Sequence, residues 1–364
     1  MAKTPPEYVG FGMLTPVEIM VLDKLPKHNT GAIVTEVNEF VFDDAAIVAC
    51  LLRQWDVNSG MIGTAVGDDL RGHALAKQLK EWGVQGEVRF TKDYKTPLEV
   101  NVSDRKGART YFWQRTPQIL STLDTADLSL IQGAKILYAD WYDGEHVLRA
   151  MDEASLLKVP VFVNLEHGHK DPDILKQYAR RATFCQAVTD AAQLGGKRAL
   201  VGTARKLLKS GIKTAIITLA KGGCLVAQDN QIVRVFAPQV KAVDACGAGA
   251  TFSAGFIYGY LKGWTLEKSA RFATAAASLK VTRAGLQMFP VDQVLELADR
   301  LRVERWAFKN NRFEIMEKIF DIPRQVAAQG KRAQRKILRE LRIPEKQESR
   351  RVNHPHARTK RKVV

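Results

Sequence analysis

"AVDACGAGATFSAGF", residues 242–256, decides how the rest of the chain is read. Gly247-Ala248-Gly249 is a turn of small residues that leads into an alanine-rich run. Backbone N–H groups at such a turn are unobstructed, and the dipole of a following helix adds positive potential, so the pair suits an oxyanion. A tight turn with no ligand needs the same three residues, so the tripeptide alone leaves both readings open. The residue after it is Ala250, whose methyl group has no acid–base chemistry.

Downstream, "GATFSAGFIYGYLKG" (249–263) and "LEKSARFATAAASLKVTR" (266–283) are rich in small residues at helical spacing, suited to close packing. Upstream, "KGGCLVAQDNQIVRVFAP" (221–238) predicts a hairpin turning at Asp229-Asn230. Buried strands are expected in "KILYAD" (135–140), "VPVFVNL" (159–165), "ATFCQAV" (182–188) and "TAIITLA" (214–220), with a helix over 202–211. Alternating strands and helices argue for a parallel, doubly wound sheet. In the N-terminal third, 31–42 and 59–69 are strand-rich, 43–55 is helical with Asp43 or Asp44 as cap, and 70–84 is a helix closing at Gly83. Residues 96–115 predict a second hairpin around Asp104-Arg-Lys-Gly107.

This order of motifs resembles the pfkB, or ribokinase-like, family of carbohydrate kinases. Its second signature, close to D-T-x-G-A-G-D-x-F, aligns with Asp244-Ala245-Cys246-Gly247-Ala248-Gly249-Ala250-Thr251-Phe252. "MIGTAVGDDLRGHALAKQLKEWGV" (61–84), "IITLAKGGCLV" (216–226) and "RFATAAASLKVTRAGLQ" (271–287) match the family's other landmarks, and the likeness runs over roughly residues 8–300. The resemblance implies a three-layer α/β/α sandwich with a mostly parallel central sheet and a small β lid from about 12–42 and 96–115. It implies ATP and magnesium as cofactors, with a monovalent cation as a further candidate. It places the anion hole at Gly247, Ala248 and Gly249, and nucleotide contacts at Lys221, Gly223 and Asp244. The family domain is expected to span 8–302.

Three positions depart from the family pattern. The catalytic base, an aspartate after the GAG, is replaced by Ala250, and its neighbours Thr251 and Cys246 are poor bases at neutral pH. The N-x-x-E that orients magnesium aligns with Ala187 and Asp190; Asp190 reads as a weakened metal ligand or as a helix cap. The sugar-side G-G-x-x-x-N aligns with residues 42–47, where Phe42, Asp43 and Ile47 stand instead, and the early substrate aspartate falls at about Val17, with Glu18 on the other face of the strand.

Other features take plainer readings. Glu166, His167, His169 and Asp171 could meet at a metal or simply form a polar loop after a strand. Asp43 and Asp44 read as caps, Lys221 as a phosphate contact or a surface lysine, and Arg115 as a strand-end charge within reach of an anionic ligand. The four cysteines, Cys50, Cys185, Cys224 and Cys246, are scattered and read as reduced thiols of a cytoplasmic protein. No apolar run is long enough for a membrane span, and MAKTPPEYVG has no secretory h-region.

The chain has 364 residues and a net charge of +16. Residues 331–364 hold thirteen Lys/Arg against three Glu, so +10 of that charge lies in the tail. Such a tail attracts nucleic acid or another polyanion, or is only a solvated end. Residues 303–330 predict a helical extension, since 303–320 is amphipathic. Two functions follow. One is an ATP-dependent kinase for a small hydroxylated substrate, weakened by Ala250. The other is a non-catalytic pseudokinase that binds nucleotide or partners as a scaffold, with the tail engaging nucleic acid. A homodimer through the lid is compatible with either.

Overall fold

The structure is a computed structural model, described here for residues 4–104, 108–189, 196–286 and 289–308. The chain opens with strands Tyr8–Gly12 (β1), Thr15–Leu22 (β2) and Val34–Phe42 (β3), helix Asp44–Gln54 (α1), strands Ser59–Gly63 (β4) and Val66–Gly67 (β5), and helix Leu70–Glu81 (α2). Strands Phe90–Thr91 (β6), Leu98–Ser103 (β7) and Arg109–Gln114 (β8) precede a short helix, Gln118–Ser121 (α3). Strands then alternate with helices: Ile136–Asp140 (β9), Leu148–Leu156 (α4), Val161–Glu166 (β10), Pro172–Ala179 (α5), Phe184–Val188 (β11), Lys197–Lys209 (α6) and Thr214–Thr218 (β12). The hairpin Cys224–Gln228 (β13) and Gln231–Val235 (β14) leads to Ala248–Leu261 (α7), Leu266–Lys280 (α8), Val291–Ala298 (α9) and Val303–Ala307 (β15).

Among the described residues the main sheet has the order β15-β14-β13-β12-β11-β10-β9-β1-β4. The six strands from β12 to β4 are parallel, and β13, β14 and β15 are antiparallel. Parallel strands covered on both faces must be apolar throughout, and β9 is buried along its length. One face packs Val9, Phe11, Leu137 and Val163 against Met151 of α4, Leu175 of α5 and Leu207 of α6. The opposite face carries α1 against β1 and β4, with α7 lying against α1 and α8. The result is the expected three-layer sandwich.

A second sheet, β3-β2-β7-β8, forms the lid. Its alternation is plain in β7, where Glu99, Asn101 and Ser103 are buried and their neighbours half-buried. The outer strand β8 leaves Tyr111, Phe112 and Trp113 exposed. Helix starts follow side-chain chemistry: Asp69, Asp171 and Thr265 accept backbone N–H groups at the starts of α2, α5 and α8.

The C-terminal reading needs correction. Residues 303–307 are a strand, not the start of a helix, and pair with β14 so that Ile232 faces Trp306. The edge of β14 offers unpaired backbone groups, and V-E-R-W-A alternates well enough to satisfy them while burying Trp306 in the core. The helical reading followed aromatic spacing and took no account of that vacant edge. The domain therefore runs at least to Ala307. The rest of the expected extension and the basic tail, residues 331–364, lie outside the described residues.

Candidate active site

Gly247 lies in the left-handed region (φ +70°, ψ 6°) and caps α7. This conformation favours glycine, and a side chain there would also meet Ile47 of α1 at 3.4 Å. The chain enters the helix so sharply that Thr251 N–H and its hydroxyl both bond Gly247 O, at 2.9 and 2.8 Å. The amides of a helix's first turn have no intrahelical acceptor and point outward with the dipole. Gly249 is exposed at this mouth, while Ala250 is fully buried. The start of α7 is thus a glycine turn with Gly249 open, and nothing at Ala250 accepts a proton.

Asp244 was expected to contact nucleotide; the structure gives it another task. Its carboxylate is fully buried. Oδ1 accepts from Ser103 Oγ and Cys246 N–H, both at 2.9 Å. Oδ2 accepts from Lys280 Nζ at 2.6 Å and Gly285 N–H at 3.2 Å. Asp244 therefore ties the lid strand β7, the anion loop and the end of α8 together. Ser103, Lys280 and Gly285 were not legible as partners in the sequence, because each is far along the chain.

Next to the anion loop, side chains converge from the carboxyl ends of β9 and β10 and the start of α1. Asp43 caps α1, accepting from Asp44 N–H at 2.6 Å and from the Tyr142 hydroxyl. Asp44, the first residue of α1, accepts from Asn164 Nδ2 of β10 at 3.3 Å. Asp140 ends β9, accepts from Tyr138 OH at 3.1 Å, and is the register partner of Asn164. Asp143 accepts from Met13 N–H at 3.1 Å. One oxygen on each of Asp43, Asp140 and Asp143 is buried without a donor. Burial, followed by nearby carboxylates, raises Asp43 and Asp140 well above the usual range. Burial also pushes Asp44 and Asp143 up to about 7. A cluster rich in buried acceptors without donors favours a ligand bearing several hydroxyl groups.

Two strand-end amides connect this end to the anion loop. Asn164 of β10 and Gln186 of β11 are register partners. Gln186 Nε2 approaches Gly249 O at 3.5 Å, and its Oε1 accepts from Ser253 Oγ of α7 at 2.9 Å. Asn164 and Gln186 are polar residues inside otherwise apolar strand runs, a signal the sequence carried but which went unused. Asp140, closing the apolar run "KILYAD", carried the same signal.

On the expected nucleotide side, Lys221 is exposed in a short turn over residues 220–222. Gly223 has φ +89°, and a Cβ there would sit 2.3 Å from Val235 O. Arg234, missed in the sequence, holds this loop: its guanidinium donates to Gly222 O at 2.7 Å, Cys224 O at 2.8 Å and Val235 O at 2.5 Å. Asp190 and its immediate followers lie outside the described residues. Among the described residues, no three or more His, Cys, Asp or Glu stand as a metal-holding group. His169 is buried, with Nδ1 2.6 Å from Glu166 O, and Asp171 caps α5. That motif is therefore a structural turn. Arg115 stacks over Trp113 at 4.6 Å and lies 3.9 Å from Met13 Sδ, on the Asp143 side of the lid. The described residues thus fit the anionic end of ATP at the α7 start, but do not themselves supply a magnesium site.

Known proteins resemble this chain in sequence and fold. Residues 44–293 match the profile described as pfkB family carbohydrate kinase. The ATP-dependent 6-phosphofructokinase of Thermoanaerobacterium thermosaccharolyticum is 26% identical over 267 residues, 67% of this chain and 82% of that one. The nucleoside kinase of Methanothermobacter thermautotrophicus is 26% identical over 281 residues, 74% and 87% of the two chains. A putative ribokinase from Agrobacterium tumefaciens superposes with a TM-score of 0.72 at 20% identity, covering 82% of this chain and 98% of that structure.

Proposed function

The chain belongs to the pfkB family of carbohydrate kinases, and from that premise we propose that it transfers phosphate from ATP to a small hydroxylated substrate, slowly, with its usual base position empty of chemistry. The observation that carries this reading is that the glycine turn opening α7 and the buried aspartate cluster are linked through the register partners Asn164 and Gln186. At one end Gly247 opens α7 with Gly249 exposed. At the other, buried aspartate oxygens have no donor. Phosphoryl transfer depends mainly on positioning and charge stabilisation, so the anion hole and substrate end supply much of what the reaction needs. ATP, when bound, brings the transferable phosphoryl group. The first-turn amides of α7 hold its anionic end, Lys221 stands on the nucleotide side, and the acceptor-rich end orients the hydroxyl compound. Asp190 remains the proposed helper for magnesium.

The second reading is a pseudokinase that binds nucleotide without turnover and uses the basic tail for a polyanion. Ala250 favours it, since losing a general base costs about 10²–10⁴-fold. The exposed lid aromatics Tyr111, Phe112 and Trp113 support the proposal that the lid pairs with a second copy. Purified protein is assayed for ADP release with ATP and D-ribose, D-fructose, D-fructose 6-phosphate or inosine, beside Gly249→Val. Turnover abolished by Gly249→Val supports the kinase. Turnover that survives it removes the anion-hole assignment, and nucleotide binding with no turnover on any acceptor establishes the scaffold.

A further inference from the structure

If phosphate is transferred at this site, the proton on the attacking hydroxyl has to go somewhere, and Ala250 cannot take it. We infer that Asp44, at the start of α1, is the general base, so that the catalytic carboxylate has moved from α7 to the facing helix. This rests on the phosphoryl-transfer reading above.

Asp44 meets the anion loop by three routes. Ile47, one turn along α1, lies where a side chain at Gly247 would touch it, 3.4 Å away; residues i and i+3 share a helix face, so Asp44 and Ile47 look the same way. Asn164, which donates to Asp44 Oδ2, is the register partner of Gln186, which reaches Gly249. The path from Asp44 to the anion loop thus runs through two side chains on adjacent strands. Arg109 of the lid interacts electrostatically with both Asp44 and Cys246 of the anion loop.

The neighbouring carboxylates are otherwise committed. Asp43 is bound to the helix start and Tyr142, Asp140 to Tyr138, and Asp143 to Met13 N–H. These three are 0–1% exposed, whereas Asp44 retains 8%. Of the four carboxylates, Asp44 is therefore the one with surface left for the reacting hydroxyl. Burial first, then Glu166 across on β10, raises Asp44 to about 7; Arg109 opposes this, while Glu99 and Asp143 add to it. A base titrating near the working pH is close to the optimum for proton transfer.

In the step, the substrate O–H proton passes to the Asp44 carboxylate as the oxygen attacks the γ-phosphorus. The bond from that phosphorus to the β–γ bridging oxygen breaks, its electrons leave on ADP, and the proton is later lost to solvent. The products are a phosphate ester, ADP and one proton.

The test compares wild type, Asp44→Asn, Asp44→Glu and the double variant Asp44→Asn/Ala250→Asp on the same acceptor panel, with turnover followed from pH 5.5 to 9. Asp44→Asn is near-isosteric and removes a buried charge, so its melting temperature should hold or rise, and ATP affinity should change less than threefold. Wild type should show an acid limb near pH 7, and in Asp44→Asn kcat should fall about 10²–10³-fold with that limb lost. Ala250→Asp should restore at least tenfold of that loss. Unchanged kcat and pH profile in Asp44→Asn overturn the assignment and leave the kinase reading standing. A wild type that turns over no acceptor overturns both. A fall in kcat with the acid limb intact assigns Asp44 to positioning and overturns its role as base.

Discussion

The contact between Lys280 and Asp244 is the most consequential buried interaction outside the hydrophobic core, and Lys280→Met tests it. Both side chains are 0% exposed, with Nζ 2.6 Å from Oδ2. Methionine keeps most of the volume and removes the charge. Asp244 would keep Ser103, Cys246 and Gly285 as neutral donors but lose the Lys280 ammonium. Breaking one side of a buried pair costs about 3–5 kcal/mol, because the remaining charge stays out of water. For a domain of this size each kcal/mol shifts the melting temperature by about 2–4 °C, so the expected loss is on the order of 10 °C. Urea unfolding followed by tryptophan fluorescence measures the same quantity at constant temperature. In Asp244→Asn/Lys280→Met no charge is left buried, and about half the loss should return. A single variant within about 1 kcal/mol of wild type, or a double variant less stable than the single, refutes the view that this pair anchors lid, loop and helix.

The aspartate cluster predicts an inverted pH dependence. Asp44 and Asp143 titrate near 7 when folded, against 3.8 for the free side chain. Between those values the folded chain binds more protons than the unfolded one, so ligand-free stability falls as pH rises through that window. Melting temperatures should drop from pH 5 to pH 8, and Asp44→Asn/Asp143→Asn should flatten the slope; an equal slope in both proteins removes the argument. Asp140→Asn, which keeps an acceptor for Tyr138, should stabilise the ligand-free protein at pH 8 by about 1–3 kcal/mol in a urea titration, and destabilisation would show the carboxylate to be satisfied. Gly223→Ala places a methyl 2.3 Å from Val235 O at φ +89°. It should cost about 2 kcal/mol or more and weaken nucleotide binding by calorimetry; a neutral effect would mean that the loop relaxes freely.

Much of the fold was legible because its signals are local. The runs that became β9, β10, β11 and β12 are mostly apolar, as parallel strands covered on both faces must be, with Asp140, Asn164 and Gln186 as the polar exceptions at the site. Gly247-Ala248-Gly249 declared a tight turn into a helix, and Asp43 declared a helix start. The residues 303–307 were misread because their partner, β14, lies about seventy residues earlier, and pairing overrode the spacing of aromatic side chains.

The sequence by itself determined the alternation of apolar strands with helices and the small-residue turn at Gly247-Ala248-Gly249, since each depends on neighbours within a few residues, while the place of Ala250 in the family pattern comes from the resemblance. Only the tertiary structure decided what surrounds them. Asp44 meets Asn164 across 120 residues, Lys280 meets Asp244 across 36, and Gln186 meets Gly249 across 63. Burial and opposing charge act through space, so whether a carboxylate is a cap, an anchor or a base depends on what the fold brings within a few ångströms of it.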